Sequence, residues 1–155
     1  MGRPKSITIY WSKPVLWEER NDSSGIDNGP GVYAISRVFG GKETPLYIGE
    51  TKRTTFSKRM DEHVIAHEVG KEDFLFKRGT KYVRFGHIDN IDKYEDLEMK
   101  RILRNTETHL IWKYGPICNR KQKKTSTIWK QLDISNRGSV WIFKRTVCRN
   151  TDDCE

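Results

Sequence analysis

The chain lacks the features that would assign it to a membrane, to secretion or to a zinc site. Among its 155 residues, no apolar run approaches the ~18 residues of a membrane-spanning helix. Residues 1–6 are polar, so we expect no signal peptide there. The three cysteines are odd in number and form no CxxC pair. These absences predict a cytoplasmic protein with reduced thiols that does not enter a membrane.

Acidic residues are in the minority. The sequence holds 29 lysines and arginines against 21 aspartates and glutamates, a formal net charge of +8. A basic surface attracts polyanions, of which nucleic acid is the first candidate and an anionic membrane the second. We find no internal repeat and no low-complexity segment, and this length suits one domain with one core.

Alternating apolar residues predict several short strands. They are expected at residues 7–11, 32–38, 46–49 and 82–88. The second and third would form an antiparallel hairpin across a loop at residues 39–45. Because side chains alternate along a strand, Tyr33 and Ile35 should share one face. Near the C-terminus, a second hairpin is predicted with strands at 132–135 and 139–147 and a turn at 136–138.

Two helices are predicted beside these strands. The first runs from about residue 54 to 69, with an apolar stripe at a spacing of four residues. The second runs from about residue 93 to 114, with a possible break near Asn105, and Gly115-Pro116 ends it. Strands followed by helices that pack on them indicate a small α+β domain.

Glu107 occupies an unusual position on the second helix. It lies four residues after Leu103 and three before Leu110, so it projects from or beside the apolar face. A glutamate there bends out to water, pairs with a cation or binds a metal. From the helix alone, the first two interpretations are the commoner ones.

Arg59 and His63 are four residues apart on the first helix and share a face. A guanidinium fork matches phosphate and stays charged, and the ordinary pKa of histidine lies near neutrality. A solvated helix face is the commoner explanation for such a pair. Tyr33 and Tyr47 are likewise compatible with ordinary strand packing when each is taken alone.

Together these residues form an ordered pattern. Gly31-Val32-Tyr33 is followed by Tyr47-Ile48-Gly49, by Arg59 and His63, and by Glu107 with Asn119 twelve residues later. Over residues 29–119 the pattern resembles the GIY-YIG nuclease family. The resemblance implies a small central three-stranded antiparallel sheet flanked by helices. Residues 1–28 would then be an N-terminal strand and loop extension, and 120–155 a basic extension with the hairpin, in the same globular unit.

The resemblance also implies a role for each matching residue. Tyr33 lies at the nucleophilic water as a candidate general base, and Tyr47 positions the water or the phosphate. Arg59 holds the scissile phosphate, and His63 assists the tyrosine. Glu107 binds one Mg²⁺ or Mn²⁺. Whether Tyr33 or His63 moves the proton stays open.

Structural and DNA-binding roles complete the expected site. Gly31, Gly49 and Asn119 are expected to be structural. The twelve residues from Tyr47 to Arg59 exceed the family's usual spacing, so Arg53 is an alternative phosphate ligand, although Arg59 has His63 one turn later. The expected DNA contacts are basic residues near the motifs: Lys52, Arg53, Lys58, Arg120, Lys121, Lys123 and Lys124.

The expected activity is that of a metal-dependent DNA endonuclease that leaves 5′-phosphate and 3′-hydroxyl ends. A stand-alone restriction-type enzyme is the first expectation, and cutting both strands with one site per chain favours a homodimer or sequential nicking. Structure-specific repair and homing-type nucleases are alternatives, as is RNA cleavage. A non-catalytic nucleic-acid-binding module on the same fold is the rival from another class.

Overall fold

The computed structural model describes residues 4–20, 29–52, 79–116, 129, 132–139 and 146–147. Within these ranges the chain forms a seven-stranded sheet and one long helix, which confirms the α+β class. The strands are β1 (Ser6–Trp11), β2 (Val15–Leu16), β3 (Gly31–Phe39), β4 (Lys42–Thr51), β5 (Thr80–Ile88), β6 (Asp133–Gly138) and β7 (Thr146–Val147). The helix, α1, is Asp96–Tyr114, and 3-10 turns lie at Trp17–Glu19 and Ile91–Lys93.

The sheet is mixed and larger than the three strands expected. Its order is β4-β3-β5-β1-β6-β7, and β2 pairs with β5. Strands β1 and β6 are parallel, whereas the other described pairs are antiparallel. The expected strands β3, β4 and β5 are neighbours, but β1 continues the sheet beyond β5. The N-terminal strand and the β6–β7 pair are therefore parts of the main sheet.

The hairpin of β3 and β4 is longer than predicted, and the loop predicted at residues 39–45 is wrong. Gly40 and Gly41 make the turn, and β4 begins at Lys42. Both glycines have positive φ, 59° and 77°, which suits a two-residue hairpin turn and is strained for other residues. Residues 42–45, which the sequence predicts as part of a loop, therefore belong to β4.

The lengthened hairpin places Glu43 within the sheet, where it meets two polar partners. Its Oε1 accepts a hydrogen bond from Arg84 Nη1 at 2.6 Å and another from Ser36 Oγ at 2.7 Å. Arg84 is buried and Glu43 is half-buried. Because a buried charge is costly without a partner, this ion pair allows Arg84 to lie inside the fold.

The helix α1 is continuous, so the break considered near Asn105 is wrong. Asn105 Nδ2 instead donates to the carbonyl of Arg101, one turn earlier, at 2.8 Å. The predicted end is confirmed, since Gly115 is left-handed (φ 52°) and its N–H donates to the Ile111 carbonyl at 2.8 Å. Across the described ranges, we find no helix with the length and apolarity needed to span a bilayer.

The turn predicted at residues 136–138 is also wrong. Strand β6 runs through these residues and pairs in parallel with β1, while β7 pairs antiparallel with Ile134 and Ser135. Asn136 is fully buried, and its Oδ1 accepts a hydrogen bond from the indole N–H of Trp11 at 2.8 Å. A tertiary contact therefore holds a turn-forming residue in a strand.

Two hydrophobic clusters lie on opposite faces of the sheet. On what we call the helix face, alternate strand residues pack against α1: Val32, Ala34 and Ile48 meet Ile102, Leu103, Leu110 and Ile111. On what we call the tyrosine face, the other residues pack together: Tyr33, Ile35, Leu46, Val83 and Phe85, with Tyr47, Val15 and Trp17 at the margin. The prediction that Tyr33 and Ile35 share a face is thus confirmed.

Candidate active site

Tyr33 and Tyr47 are brought together by the register of β3 and β4. Ile35 is the cross-strand partner of Tyr47, and Tyr33 lies two residues before it on the same face. The two rings are stacked, with centroids 6.0 Å apart and an interplanar angle of 18°. The two aromatic residues of the sequence pattern therefore form one contact surface.

Gly49 has a specific reason to be glycine. It is the cross-strand partner of Tyr33, and the Tyr33 ring lies directly over it. A Cβ on Gly49 would collide with the hydroxyl and the adjoining ring carbons of Tyr33. The backbone φ of Gly49 is not the constraint, since it lies outside the left-handed region. The glycine after Tyr47-Ile48 therefore makes space for the other tyrosine.

The two tyrosines differ in exposure. Tyr33 is 0 % exposed, whereas Tyr47 is half-buried. A group that meets a water molecule or a phosphate must be reachable from solvent. Tyr47 is therefore the more accessible of the two, and Tyr33 is enclosed by the protein.

Glu107 lies on α1, which packs on the helix face, so its helix and the Tyr33 ring are in different layers. The residue is 7 % exposed, which agrees with its expected position beside the apolar stripe. Its neighbours Thr106 and Thr108 bond to carbonyls one turn earlier, at 2.7 and 2.8 Å. These bonds let the helix bury several polar residues in this turn.

One carboxylate suits Mg²⁺, which usually keeps several of its own waters. The described residues include no group of three or more histidine, cysteine, aspartate or glutamate side chains arranged to hold a metal. The lone Glu107 carboxylate is compatible with the single-carboxylate site that the resemblance implies.

His87 lies on the same face of the sheet as Tyr33, and the sequence analysis did not identify it. Four residues form one row across the sheet, because Tyr10 pairs with His87, His87 with Gly31, and Gly31 with Thr51. Gly31 lies two residues before Tyr33 on β3, so the row is on the tyrosine face. The missed signal was the alternation of Phe85 and His87 in β5, which puts the imidazole on that face.

Asn105 and His109 form a second polar contact, one turn apart on α1. Asn105 Oδ1 accepts from the Trp129 backbone N–H at 2.9 Å, and His109 Nε2 lies 2.9 Å from the Trp129 carbonyl. A carbonyl oxygen can only accept, so His109 carries its proton on Nε2. The pair holds the backbone of Trp129 against α1, which makes His109 a structural residue.

Other expected site residues lie outside the described ranges. They are Arg53, Lys58, Arg59, His63, Asn119, Arg120, Lys121, Lys123 and Lys124. The expected DNA contact Lys52 is described, and its ammonium lies 3.7 Å from the Asp96 carboxylate at the start of α1. The Lys52 side chain is 15 % exposed. Because Lys52 directly follows β4, its ion pair with Asp96 connects the end of β4 to the start of α1.

Comparisons with protein-family models, with curated proteins and with solved structures found no match to this chain.

Proposed function

We propose that the protein is a metal-dependent DNA endonuclease that hydrolyses phosphodiester bonds to 5′-phosphate and 3′-hydroxyl ends. The observation that carries the proposal is the stacked pair of Tyr33 and Tyr47 above Gly49. Three motif positions meet there through the register of β3 and β4. The order of the motif residues, similar to the GIY-YIG nuclease family, supplies the activity.

The tyrosines would act on the attacking water. Tyrosine's ordinary pKa of about 10 makes it a weak base at neutral pH. The half-buried Tyr47 is placed to hold the water or a phosphate oxygen, and Tyr33 supports its ring. Basic neighbours on the sequence, including Arg53 and Arg59, would favour the deprotonated phenol.

Glu107 would hold the metal ion, Mg²⁺ or Mn²⁺, one per site. Because its helix and the tyrosines lie on opposite faces of the sheet, a phosphate that meets both would lie at the edge formed by β4, the outermost described strand on that side. When bound, such an ion neutralises charge that develops on the phosphate and the leaving oxygen. Arg59, as the expected phosphate ligand, would stabilise the non-bridging oxygens by two parallel hydrogen bonds. The formal charge of +8 would attract DNA to the protein without selecting a sequence.

The test is cleavage of plasmid DNA with Mg²⁺ by the wild type, Glu107→Gln and Glu95→Gln. Glu95 is exposed at the start of the same helix and makes no side-chain capping bond, so it is a matched control. We expect Glu107→Gln to lower the cleavage rate on the order of 10²-fold or more while it still binds DNA. EDTA should abolish cutting, and Glu95→Gln should cut normally.

The products would also define the role. Discrete bands indicate sequence-specific restriction, and cleavage confined to branched DNA indicates repair. Equal cutting by Glu107→Gln and the wild type would remove Glu107 from the metal site.

A non-catalytic nucleic-acid-binding module is the second candidate. The complete burial of Tyr33 favours it, because a buried ring on the sheet is also what a purely structural tyrosine shows. DNA binding without cleavage in Mg²⁺ or Mn²⁺ would support this alternative and overturn the nuclease proposal.

A further inference from the structure

The solvent side of α1 is acidic in its first turn, which holds Asp96 and Glu98, and basic in the turns that follow. Lys100, Arg101 and Arg104 are all exposed there. Arg101 Nη1 lies 3.1 Å from the Glu98 carboxylate, so part of its charge is neutralised locally. Within the part of the chain that the structure describes, Lys100 and Arg104 have no ion-pair partner. Two cations of this helix are therefore available to an anion from outside.

These two cations share a line with Glu107. Residues spaced by four and then three positions lie above one another on a helix, and Lys100, Arg104 and Glu107 have this spacing. At 1.5 Å per residue, Arg104 lies about 6 Å along the axis from Lys100, and Glu107 about 4.5 Å further. The line thus runs from two exposed cations to the buried carboxylate of the proposed metal site.

The length of the line suits a polynucleotide. The row is about 10.5 Å long, which is long enough to meet more than one phosphate of a DNA strand. Exposed cations beside a metal-binding carboxylate are the charge pattern that a phosphodiester backbone complements. An acidic protein surface would be repelled by the Glu107 carboxylate.

We propose that Lys100 and Arg104 bind the phosphates next to the scissile one, so that the nucleic-acid backbone runs along α1 towards Glu107. This inference rests on the proposed function, because it assigns a path for the substrate of the same site. Neither residue belongs to the sequence motifs. The helix would therefore supply the metal ligand and also position the nucleic-acid strand relative to it.

The test measures binding rather than cleavage. The full chain is titrated with a fluorescent DNA duplex in EDTA at several salt concentrations, as wild type and as the double variant Lys100→Gln/Arg104→Gln. Each lost phosphate contact lowers the slope of log K against log salt by about 0.9, so we expect the slope to fall by roughly 1.8. The charge-retaining variant Lys100→Arg/Arg104→Lys should keep the wild-type slope.

A matched control removes equal charge elsewhere. Lys13 and Arg137 are exposed and lie on the β1–β6 side of the sheet. Lys13→Gln/Arg137→Gln should leave the slope close to wild type. An equal fall in both double variants would reduce the effect to net charge and overturn the proposal.

Leu97 and Trp112 are exposed apolar residues on the same helix, 61 % and 43 % exposed, so an anionic membrane is the competing partner. Phosphatidylserine vesicles are the second probe. Vesicle binding that the Lys100→Gln/Arg104→Gln variant loses, with DNA binding unchanged, would overturn the proposal.

Failure of this inference is distinguishable from failure of the nuclease proposal. A wild type that cuts DNA, together with a variant of unchanged salt slope, overturns the path along α1 alone. A variant with the expected change of slope, together with a wild type that never cuts, overturns the nuclease activity alone.

Discussion

The two faces of the sheet differ in what they present and in what covers them. On the helix face, aliphatic side chains of the strands meet aliphatic side chains of α1. On the tyrosine face, the described cluster contains two tyrosines and a phenylalanine, and no residue of α1. Because apolar burial dominates folding energy, the helix face should hold most of the stability. Substitutions on the tyrosine face should therefore cost less stability. If the proposed function holds, they should instead lower the cleavage activity.

The largest cost to folding is expected from Leu103→Ala. Leu103 is fully buried between α1 and the sheet, so its truncation leaves a cavity and should lower the free energy of unfolding by about 2–5 kcal/mol. Leu97→Ala is the matched control, because that leucine is 61 % exposed on the same helix and should change stability by no more than about 0.5 kcal/mol. Chemical denaturation measures both. Similar losses would contradict the packing of α1 on this face.

Gly49→Ala is expected to have the next largest effect. In open space, alanine would stabilise a compatible glycine position by about 0.4–1 kcal/mol. At Gly49 the new methyl group must displace the Tyr33 ring, so we expect a loss of about 1–3 kcal/mol instead. Gly29→Ala is the control, since a Cβ at Gly29 would have no atom within 4 Å apart from its own chain neighbours.

A double-mutant cycle would locate the clash. Tyr33→Leu in the Gly49→Ala background should recover part of the lost stability, because the smaller side chain leaves room for the methyl group. If Gly49→Ala costs the same with either residue at position 33, the contact between the two is not responsible.

Sequence periodicity was sufficient for elements whose signals are local. The strand near residues 7–11, the central strands and the end of α1 at Gly115 were predicted within a few residues. Strand alternation also placed Tyr33 and Ile35 on one face, and that face is where the stacked tyrosines lie. These features need no knowledge of distant partners.

The errors came where a distant contact overrides local preference. The local sequence predicts a turn at Asn136, but this residue accepts a hydrogen bond from the indole of Trp11, 125 residues away in sequence. The local sequence predicts a loop at Glu43, but Glu43 lies in a strand and forms an ion pair with Arg84. The contact of Tyr33 with Gly49 needed the hairpin register, which in turn depended on the Gly40-Gly41 turn. Local sequence does not determine such pairings.

Trp11→Phe should cost less to folding than the changes above, about 1 kcal/mol. The aromatic ring stays within the helix-face cluster, but Asn136 Oδ1 loses the indole N–H that is 2.8 Å away. Asn136→Leu in the same background removes the acceptor too and should recover part of the loss. Thermal unfolding of the two single variants and the double variant measures the coupling. Additive losses would mean that this hydrogen bond does not stabilise the β1–β6 pair.

Tyr47→Phe should have the smallest cost to folding, within about 0.5 kcal/mol, because it removes one hydroxyl from a half-buried ring. If the tyrosine face carries the chemistry, the same change should lower DNA cleavage by about 10²-fold, the usual contribution of a positioned proton-handling group. Tyr82→Phe is the matched control, since Tyr82 is also half-buried in the sheet and has no expected role. Stability is measured by denaturation and activity by plasmid cleavage. Normal cleavage by Tyr47→Phe would remove its hydroxyl from the site, and a stability loss without a cleavage defect would make the stacked pair part of the core alone.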